Sequence, residues 1–219
     1  CVPAMTATSE TGIIPASSSP HSVTEVIFYQ HSASPKEFVE RFGQDGMRRE
    51  SQGGLFMEER GASEIRAFFE ARGLCKEIHS FEESTHNSEL AAQTLGVKVG
   101  QIAKTILLMV DESPVVVVIS GDRRVDFKKV KTLRGGRRVR LAGPEDVVAH
   151  TGFKVGAVSP VALPEGIPVF LDVSLRRFPE IYPAAGETNN MFATTFDELL
   201  SLAHAEEKDL ARADNSVAT

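Results

Sequence analysis

The sequence predicts one domain of the α/β or α+β class built on a mixed β-sheet, and three observations predict it. Helix-type and strand-type periods are interspersed with hairpins instead of alternating strictly, as a doubly wound sheet would require. Two apolar runs, Ile106 to Val110 and Val115 to Ile119, are separated only by Asp111, Glu112, Ser113 and Pro114, which reads as a β-hairpin in the core. A chain of 219 residues, 42% hydrophobic and 25% charged, is long enough to bury one substantial core.

Residues 1–21 end in Ser17-Ser18-Ser19-Pro20, show no hydrophobic period and are expected to form a flexible tail. Residues 22–61 read as an N-terminal extension. It holds a strand around Val26-Ile27-Phe28-Tyr29, a helix from Ser34-Pro35 to about Phe42, and a loop at Gln52-Gly53-Gly54. The main domain is expected over residues 62–205. Ile65, Phe68 and Phe69, followed by Gly73, mark an amphipathic helix, and Lys76 to Phe81 a strand. A second helix opens at Asn87 or Ser88 and runs to Gly96, before the hairpin strands Ile102 to Val110 and Val115 to Ser120. Asp126 to Leu133 is expected as a helix and Arg138 to Ala142 as a strand. Pro144, Glu145 and Asp146 supply a first turn for a helix to about His150, stopped by Gly152. Strands follow at Pro168 to Val173, Glu180 to Pro183 and Asn190 to Thr194, then a helix carrying Phe196, Leu199, Leu200 and Leu202. Residues 206–219 turn charged and small, the pattern of a frayed end.

Several function classes are disfavoured by composition. No apolar run is long enough to cross a bilayer. Nothing near the start resembles a secretory signal, and a chain beginning at Cys1 is expected to be processed or excised. Two cysteines, Cys1 and Cys75, make no disulfide framework and no C-x-x-C pair, which fits a reducing, cytoplasmic setting. The six histidines have no H-x-x-x-H spacing, so a metal site is disfavoured. Neither G-x-G-x-x-G nor G-x-x-x-x-G-K-[ST] occurs, leaving nucleotide cofactors without a motif.

Net charge is −6, but its distribution is polarised. Between Arg123 and Arg140 nine Lys/Arg stand against one acid, Asp126, a local +8 that leaves −14 for the rest. Arg123, Arg124, Lys128, Lys129, Lys131, Arg134, Arg137, Arg138 and Arg140 could face a phosphate backbone, or could simply solvate a helix and a turn.

Lys104 is the most informative residue. Along its strand it shares a face with Ile102, Ile106, Leu108 and Val110, and a lysine on an apolar face is paired, walls a ligand cleft, or snorkels out. Asp172 alternates onto the face of Phe170 and could be its counter-charge, or could cap the turn at Ser174. The segment Gly152 to Pro160 places glycines four residues apart among small residues, so its main chain could approach a ligand and offer N–H donors, or could be a plain connection. Ser159 lacks a G-x-S-x-G context, Cys75 reads as a packed thiol, and His150 sits near a helix C-terminus where a cation is favoured.

Three early segments carry a resemblance: Asn87-Ser88-Glu89-Leu90-Ala91-Ala92-Gln93-Thr94-Leu95-Gly96-Val97, Gln101-Ile102-Ala103-Lys104-Thr105 and Gly121-Asp122-Arg123-Arg124-Val125-Asp126. Ala142-Gly143-Pro144-Glu145-Asp146-Val147, the Gly152-to-Pro160 loop, Val169-Phe170-Leu171-Asp172-Val173-Ser174-Leu175 and Ala184-Ala185-Gly186 continue it. In order and spacing, over residues 62–205, they resemble the YbaK/ProX family of aminoacyl-tRNA editing domains, the prolyl-tRNA deacylase type. The resemblance implies a barrel-like mixed sheet surrounded by helices. It implies hydrolysis of the ester of a mischarged aminoacyl-tRNA in trans, Ala-tRNA(Pro) first and Cys-, Ser- or Thr-tRNA otherwise. Lys104 would be the essential lysine, while Gly152, Gly156, Ala157, Val158 and Ser159 would hold the aminoacyl carbonyl and Asp172 would lie in the same pocket. Arg123, Arg124, Lys128, Lys129, Lys131, Arg137 and Arg138 would meet the tRNA. Water, positioned with help from the substrate's ribose hydroxyl, would be the nucleophile, with no cofactor and no metal. The partners implied are mischarged tRNA and a synthetase or its complex. One position departs from the family: many members have proline just before the second loop glycine, where this chain has Val155. The reading from another class is a catalytically silent RNA-binding or synthetase-associated assembly module that keeps the fold. A general esterase has no nucleophile or metal here to support it.

Overall fold

A computed structural model describes residues 59–81 and 87–213 in full and the backbone of 47–49 and 55–57, all within the compact unit 45–219. The strand expected at Val26–Tyr29, the helix expected at Ser34–Phe42 and the tail 1–21 lie outside the described residues. Strands β1 (Met47–Arg49) and β2 (Leu55–Met57), which the sequence did not foretell, pair antiparallel, and the loop expected at Gln52-Gly53-Gly54 lies outside the described residues.

The remaining elements follow the expected order. Helix α1 (Ala62–Glu70) buries Ile65 and Phe69 and leads to β3 (Ile78–Ser80). Helix α2 (Ser88–Leu95) starts at Asn87, whose side chain accepts from the Leu90 N–H, and stops at Gly96 with φ of 69°. After a 3-10 turn over Val99–Gln101, β4 (Ile102–Val110) and β5 (Ser113–Ser120) form the hairpin, followed by α3 (Phe127–Arg134), β6 (Val139–Leu141) and α4 (Pro144–Thr151). Then come β7 (Val169–Asp172), a 3-10 turn over Val173–Arg177, β8 (Tyr182–Pro183), β9 (Asn190–Phe192), α5 (Phe196–Leu202) and β10 (Glu206–Lys208). The hairpin turn is tighter than expected. Val110 pairs with Ser113, and the two residues between, Asp111 and Glu112, both have positive φ, 46° and 67°, as a two-residue hairpin loop demands. Neither is glycine. The Asp111 carboxylate offsets that cost by accepting from the Arg137 and Arg138 N–H groups, both at 2.7 Å, which also hold its pKa below the usual value.

The main sheet runs β10-β7-β5-β4-β6, with β8 beside the start of β4. It is mixed: β4 is antiparallel to β5 and β6, whereas β7 is parallel to β5, β10 to β7 and β8 to β4. Among the described strands it stays open, without closing into a barrel. β5 is its dry centre, and Val115 through Ile119 are fully buried. Val116 and Val118 join Ala103, Leu107, Val169 and Leu171 in a cluster with Phe69, Phe192 and Leu199 on one face. Val115, Val117 and Ile119 join Leu108 and Phe170 in a second cluster with Val130 and Leu210 on the other. A third, smaller cluster unites Ala91, Ala92, Ile102, Tyr182 and Met191 where α2 meets the sheet.

Residues 206–213 correct the expectation of a frayed end. β10 extends the sheet, Leu210 is buried, its carbonyl accepts from the Asp126 N–H at 2.7 Å, and the Arg212 N–H donates to the Arg124 carbonyl at 2.8 Å. The anchor is Asp172, fully buried: Oδ1 accepts from the Ser174 N–H at 2.9 Å, and Oδ2 from the Leu210 and Ala211 N–H groups at 2.6 and 2.9 Å. A buried carboxylate with three main-chain donors is costly to remove, because the donors are left unsatisfied. Asp172→Ala should cost at least about 3 kcal/mol in urea unfolding, and hydrogen exchange should rise first at Leu210 and Ala211; unchanged stability would contradict this anchoring role.

Candidate active site at an interrupted sheet edge

One edge of β4 faces β5 along its whole length, but the other is covered only in part. β8 lies against Ile102 and Ala103, β6 lies against Leu108 to Val110, and the Ala142 N–H extends that cover to the Leu107 carbonyl at 3.1 Å. On this outer edge, among the described residues, no strand is paired opposite Lys104, Thr105 and Ile106. There a cleft of about 360 Å³ opens, lined by Ile102 to Ile106, by Asn87, Ser88, Glu89 and Ala91 of the α2 entrance, and by Gly121, Gly156, Val158, Ala184 and Met191. Alternation along β4 sends Lys104 to the face of Ile102 and Ile106, while the Oγ1 of Thr105 on the opposite face is buried with no hydrogen-bond partner among the described residues.

Lys104 is half-buried, and its Nζ donates to the Arg123 carbonyl at 2.7 Å. Burial pushes the ammonium below its ordinary pKa, because the charged form loses hydration. Glu89 and Asp122 pull it back up, and Arg124 adds to the depression. Glu89 is the sole carboxylate among the cleft-lining residues.

The glycine loop reaches the cleft through Gly156 and Val158 only. The Ala157 N–H donates to the Lys154 carbonyl at 3.0 Å, and Gly156 at φ of 85° follows a Val155 outside the positive-φ region, which is the pattern of a type II turn. That N–H is therefore taken, contrary to a donor role for Ala157, which borders a neighbouring depression instead. Gly152 caps α4, and Ser159 is fully buried, its Oγ without a partner among the described residues, and neither lines the cleft. Val155 occupies the second position of the turn, where proline is favoured; it is exposed, so its departure from the family pattern concerns turn stiffness rather than contact.

Asp172 is not the counter-charge of Lys104. The register places Lys104 opposite Ile119 of β5, and the next strand, β7, carries Asp172, so the two sit two strand spacings apart, roughly 10 Å. Its Oδ1 caps the turn at Ser174, the alternative that the sequence left open, and its Oδ2 is spent on main-chain donors of the C-terminal segment, which the sequence did not foretell. Cys75 is exposed, not packed, between α1 and β3. His150 stands in the last turn of α4 as expected.

The basic run divides. Arg123 and Arg124 follow Gly121 beside the cleft. Lys128 and Lys131 are exposed on α3 and Arg134 at its end, whereas Lys129 pairs with Asp209 at 2.7 Å. Arg140 is bound by Asp146 and Glu112. Arg137 and Arg138 flank the hairpin tip beyond Val110, roughly 20 Å along β4 from Lys104. The α2 entrance and Met191 were missed as lining residues. Asn87 had been legible as a cap, but nothing local says what a cap faces.

Residues 82–202, over half of the chain, match the aminoacyl-tRNA editing domain. The chain belongs to this family. It is 33% identical over 136 residues to YwhH of Bacillus subtilis, a relative without a functional name, covering 62% of this chain and 86% of that one. It is 27% identical over 128 residues to a protein of Enterococcus faecalis named "Putative Cys-tRNA(Pro)/Cys-tRNA(Cys) deacylase EbsC", covering 58% of this chain and 78% of that one. A crystal structure described as "a putative trans-editing enzyme for prolyl tRNA synthetase" superposes with a TM-score of 0.65 at 34% identity, over 69% of this chain and 97% of that one. These likenesses belong to the editing domain as a whole, and the local geometry makes its own test. Val155→Pro should raise stability by about 0.4–1 kcal/mol by restricting the unfolded chain, read as a higher midpoint in urea; a fall would mean that the turn is not of this type.

Proposed function

We propose that this editing domain hydrolyses, in trans, the ester joining a small wrongly attached amino acid to the terminal adenosine of a tRNA. The observation that carries the reading is Lys104, held by a main-chain carbonyl inside a cleft where the sheet edge is open and Gly121 and Gly156 are among the lining residues. In the reaction a water oxygen bonds to the carbonyl carbon, the bond to the ribose oxygen breaks, and that oxygen takes up a proton. Lys104 supplies a fixed positive charge for the terminal nucleotide and for charge developing on the ester. Such a charge acts most strongly when it is oriented before the reaction and partly shielded from water. Gly156 and Val158 of the glycine loop line the same cleft.

Ala91, Ala103, Ala184, Val158 and Met191 line the cleft and suit a short side chain. We therefore place Ala-tRNA(Pro) first among substrates, with Cys-, Ser- and Thr-tRNA as the other members of the size class. The names of the E. faecalis relative and of the superposed structure support a tRNA(Pro) acceptor. Arg123 and Arg124 beside the cleft, Lys128 and Lys131 on α3 and Arg137 and Arg138 at the hairpin tip are our candidates for the acceptor-stem phosphates. Contacts of that kind position the stem without reading its sequence. Mischarged tRNA is thus the proposed partner, and a synthetase a second one.

The test is a panel of Ala-, Cys-, Ser- and Thr-esters on non-cognate tRNAs. Selective hydrolysis should be reduced at least about 100-fold by Lys104→Ala and left unchanged by a chelator. tRNA binding without hydrolysis of any ester would favour the silent RNA-binding module. The pH dependence has a definite sign. Lys104 must be protonated to act and burial lowers its pKa, so the rate increment over spontaneous hydrolysis should decline at a pH below that expected for an exposed lysine, and not rise there.

A further inference from the structure

We propose that Arg177, in the 3-10 turn after β7, is a positioning residue for Lys104, acting through the Ser120-to-Arg123 turn that supplies the lysine's carbonyl partner. This rests on Lys104 as the working residue of the editing reaction.

The turn is closed by the Arg123 N–H donating to the Ser120 carbonyl at 2.9 Å, and its Arg123 carbonyl accepts from Lys104 Nζ. Ser120 Oγ donates to the Gly100 carbonyl and the Arg212 N–H to the Arg124 carbonyl, and Arg177 adds three further bonds that hold the turn from the side of β7. Its Nη2 donates to Asp122 Oδ1 at 2.6 Å and to Ser120 Oγ at 2.8 Å, its Nη1 to Asp122 Oδ2 at 3.0 Å, and its Nε to the Ser174 carbonyl at 2.7 Å. One planar guanidinium thus ties the turn to the chain after β7, in the forked geometry only arginine offers. The other side is closed by packing. A Cβ on Gly121 would stand 2.2 Å from the Val99 carbonyl oxygen, and one on Gly100 would stand 2.5 Å from the Phe178 ring, over which Arg177 also lies at 4.9 Å.

Arg177 has a second effect, through charge. Asp122 is close enough to Lys104 to favour its ammonium, as Glu89 of α2 also does, with Arg124 opposing. Paired with Arg177, the Asp122 carboxylate is neutralised and held below its ordinary pKa. Without Arg177 it keeps the Ser120 hydroxyl at 2.7 Å and the more distant Arg123 Nε at 3.9 Å but loses its forked partner, and the freed charge would compete with the Arg123 carbonyl for Nζ and draw the lysine aside. A lysine stem has enough rotamers to follow.

The experiment reads Lys104 directly. The full chain is treated with an amine-acylating reagent across a pH series and the labelled Lys104 peptide is quantified by mass spectrometry. Deacylation kinetics are measured on the same proteins. In Arg177→Gln the labelling midpoint should move to higher pH, because the Asp122 carboxylate loses its guanidinium partner and weighs more on the ammonium. kcat should fall on the order of 10- to 100-fold with KM little changed, the cost of a misplaced group. Arg177→Lys should lie between, and it covers the case in which the Gln variant does not fold. Adding Asp122→Asn to Arg177→Gln should return the midpoint to or below that of the unaltered protein, which a general loss of packing would not do. A Lys104 labelling profile unchanged by either Arg177 substitution overturns the proposal, whatever hydrolysis does, since Arg177 would then act on substrate or not at all. Labelling needs no turnover. If the unaltered protein hydrolyses none of the esters, the editing reading falls, while the placement of Lys104 is still decided.

Discussion

Strand β5 has no wet face, and most of the molecule is arranged to keep it dry. Five consecutive branched residues, Val115 to Ile119, need a layer on each side and a strand on each edge. β4 and β7 supply the edges, and the two large clusters supply the layers. This leaves β4 with one outer edge to satisfy. Unpaired strand edges expose polar backbone, and proteins cover them with short strands, loops or ligands. Here β8 covers one end and β6 the other, and the two do not meet. The cleft is the uncovered remainder of an edge whose partner strand is rigid, which gives it a firm floor and an open side.

Lys104 sits in that remainder at an energetic compromise. Burial opposes its charge, and among the described residues no carboxylate forms an ion pair with it at short range. A neutral carbonyl takes the hydrogen bond, while Glu89 and Asp122 act from farther away. A directly paired lysine would be neutralised and less able to attract an anionic or developing negative group. Of the two carboxylates that act on Lys104, Asp122 is occupied by Arg177, while Asp172, two strands away, is held by three main-chain N–H groups.

The parts that sequence made legible are local. Asn87 and Asp126 begin helices, Gly96 and Gly152 end them, and Pro144 opens one, each for a reason contained within a few residues. The failures are equally instructive. Glu206-Glu207-Lys208 reads as a frayed end because a short charged edge strand has the composition of a tail. Asp172 reads equally well as a counter-charge or as a cap, since alternation gives the face of a side chain but not the strand that lies beside it. Gly152 to Pro160 reads as one ligand loop, yet its residues divide among a helix cap, a type II turn, two cleft-lining positions and a buried serine.

By itself, the sequence determined the mixed α+β class, the order of the helices and main strands, the core hairpin and the presence of a lysine on an apolar strand face, since these depend on period and local backbone chemistry. Its shared segments also pointed to the editing family to which the chain belongs. Only the tertiary structure decided that β8 and β6 leave Lys104 at an open edge, that Arg123 offers it a carbonyl, and that Asp172 faces the C-terminal segment two strands away. Strand order and register bring together residues far apart in the chain, and no local period encodes which strand will be whose neighbour.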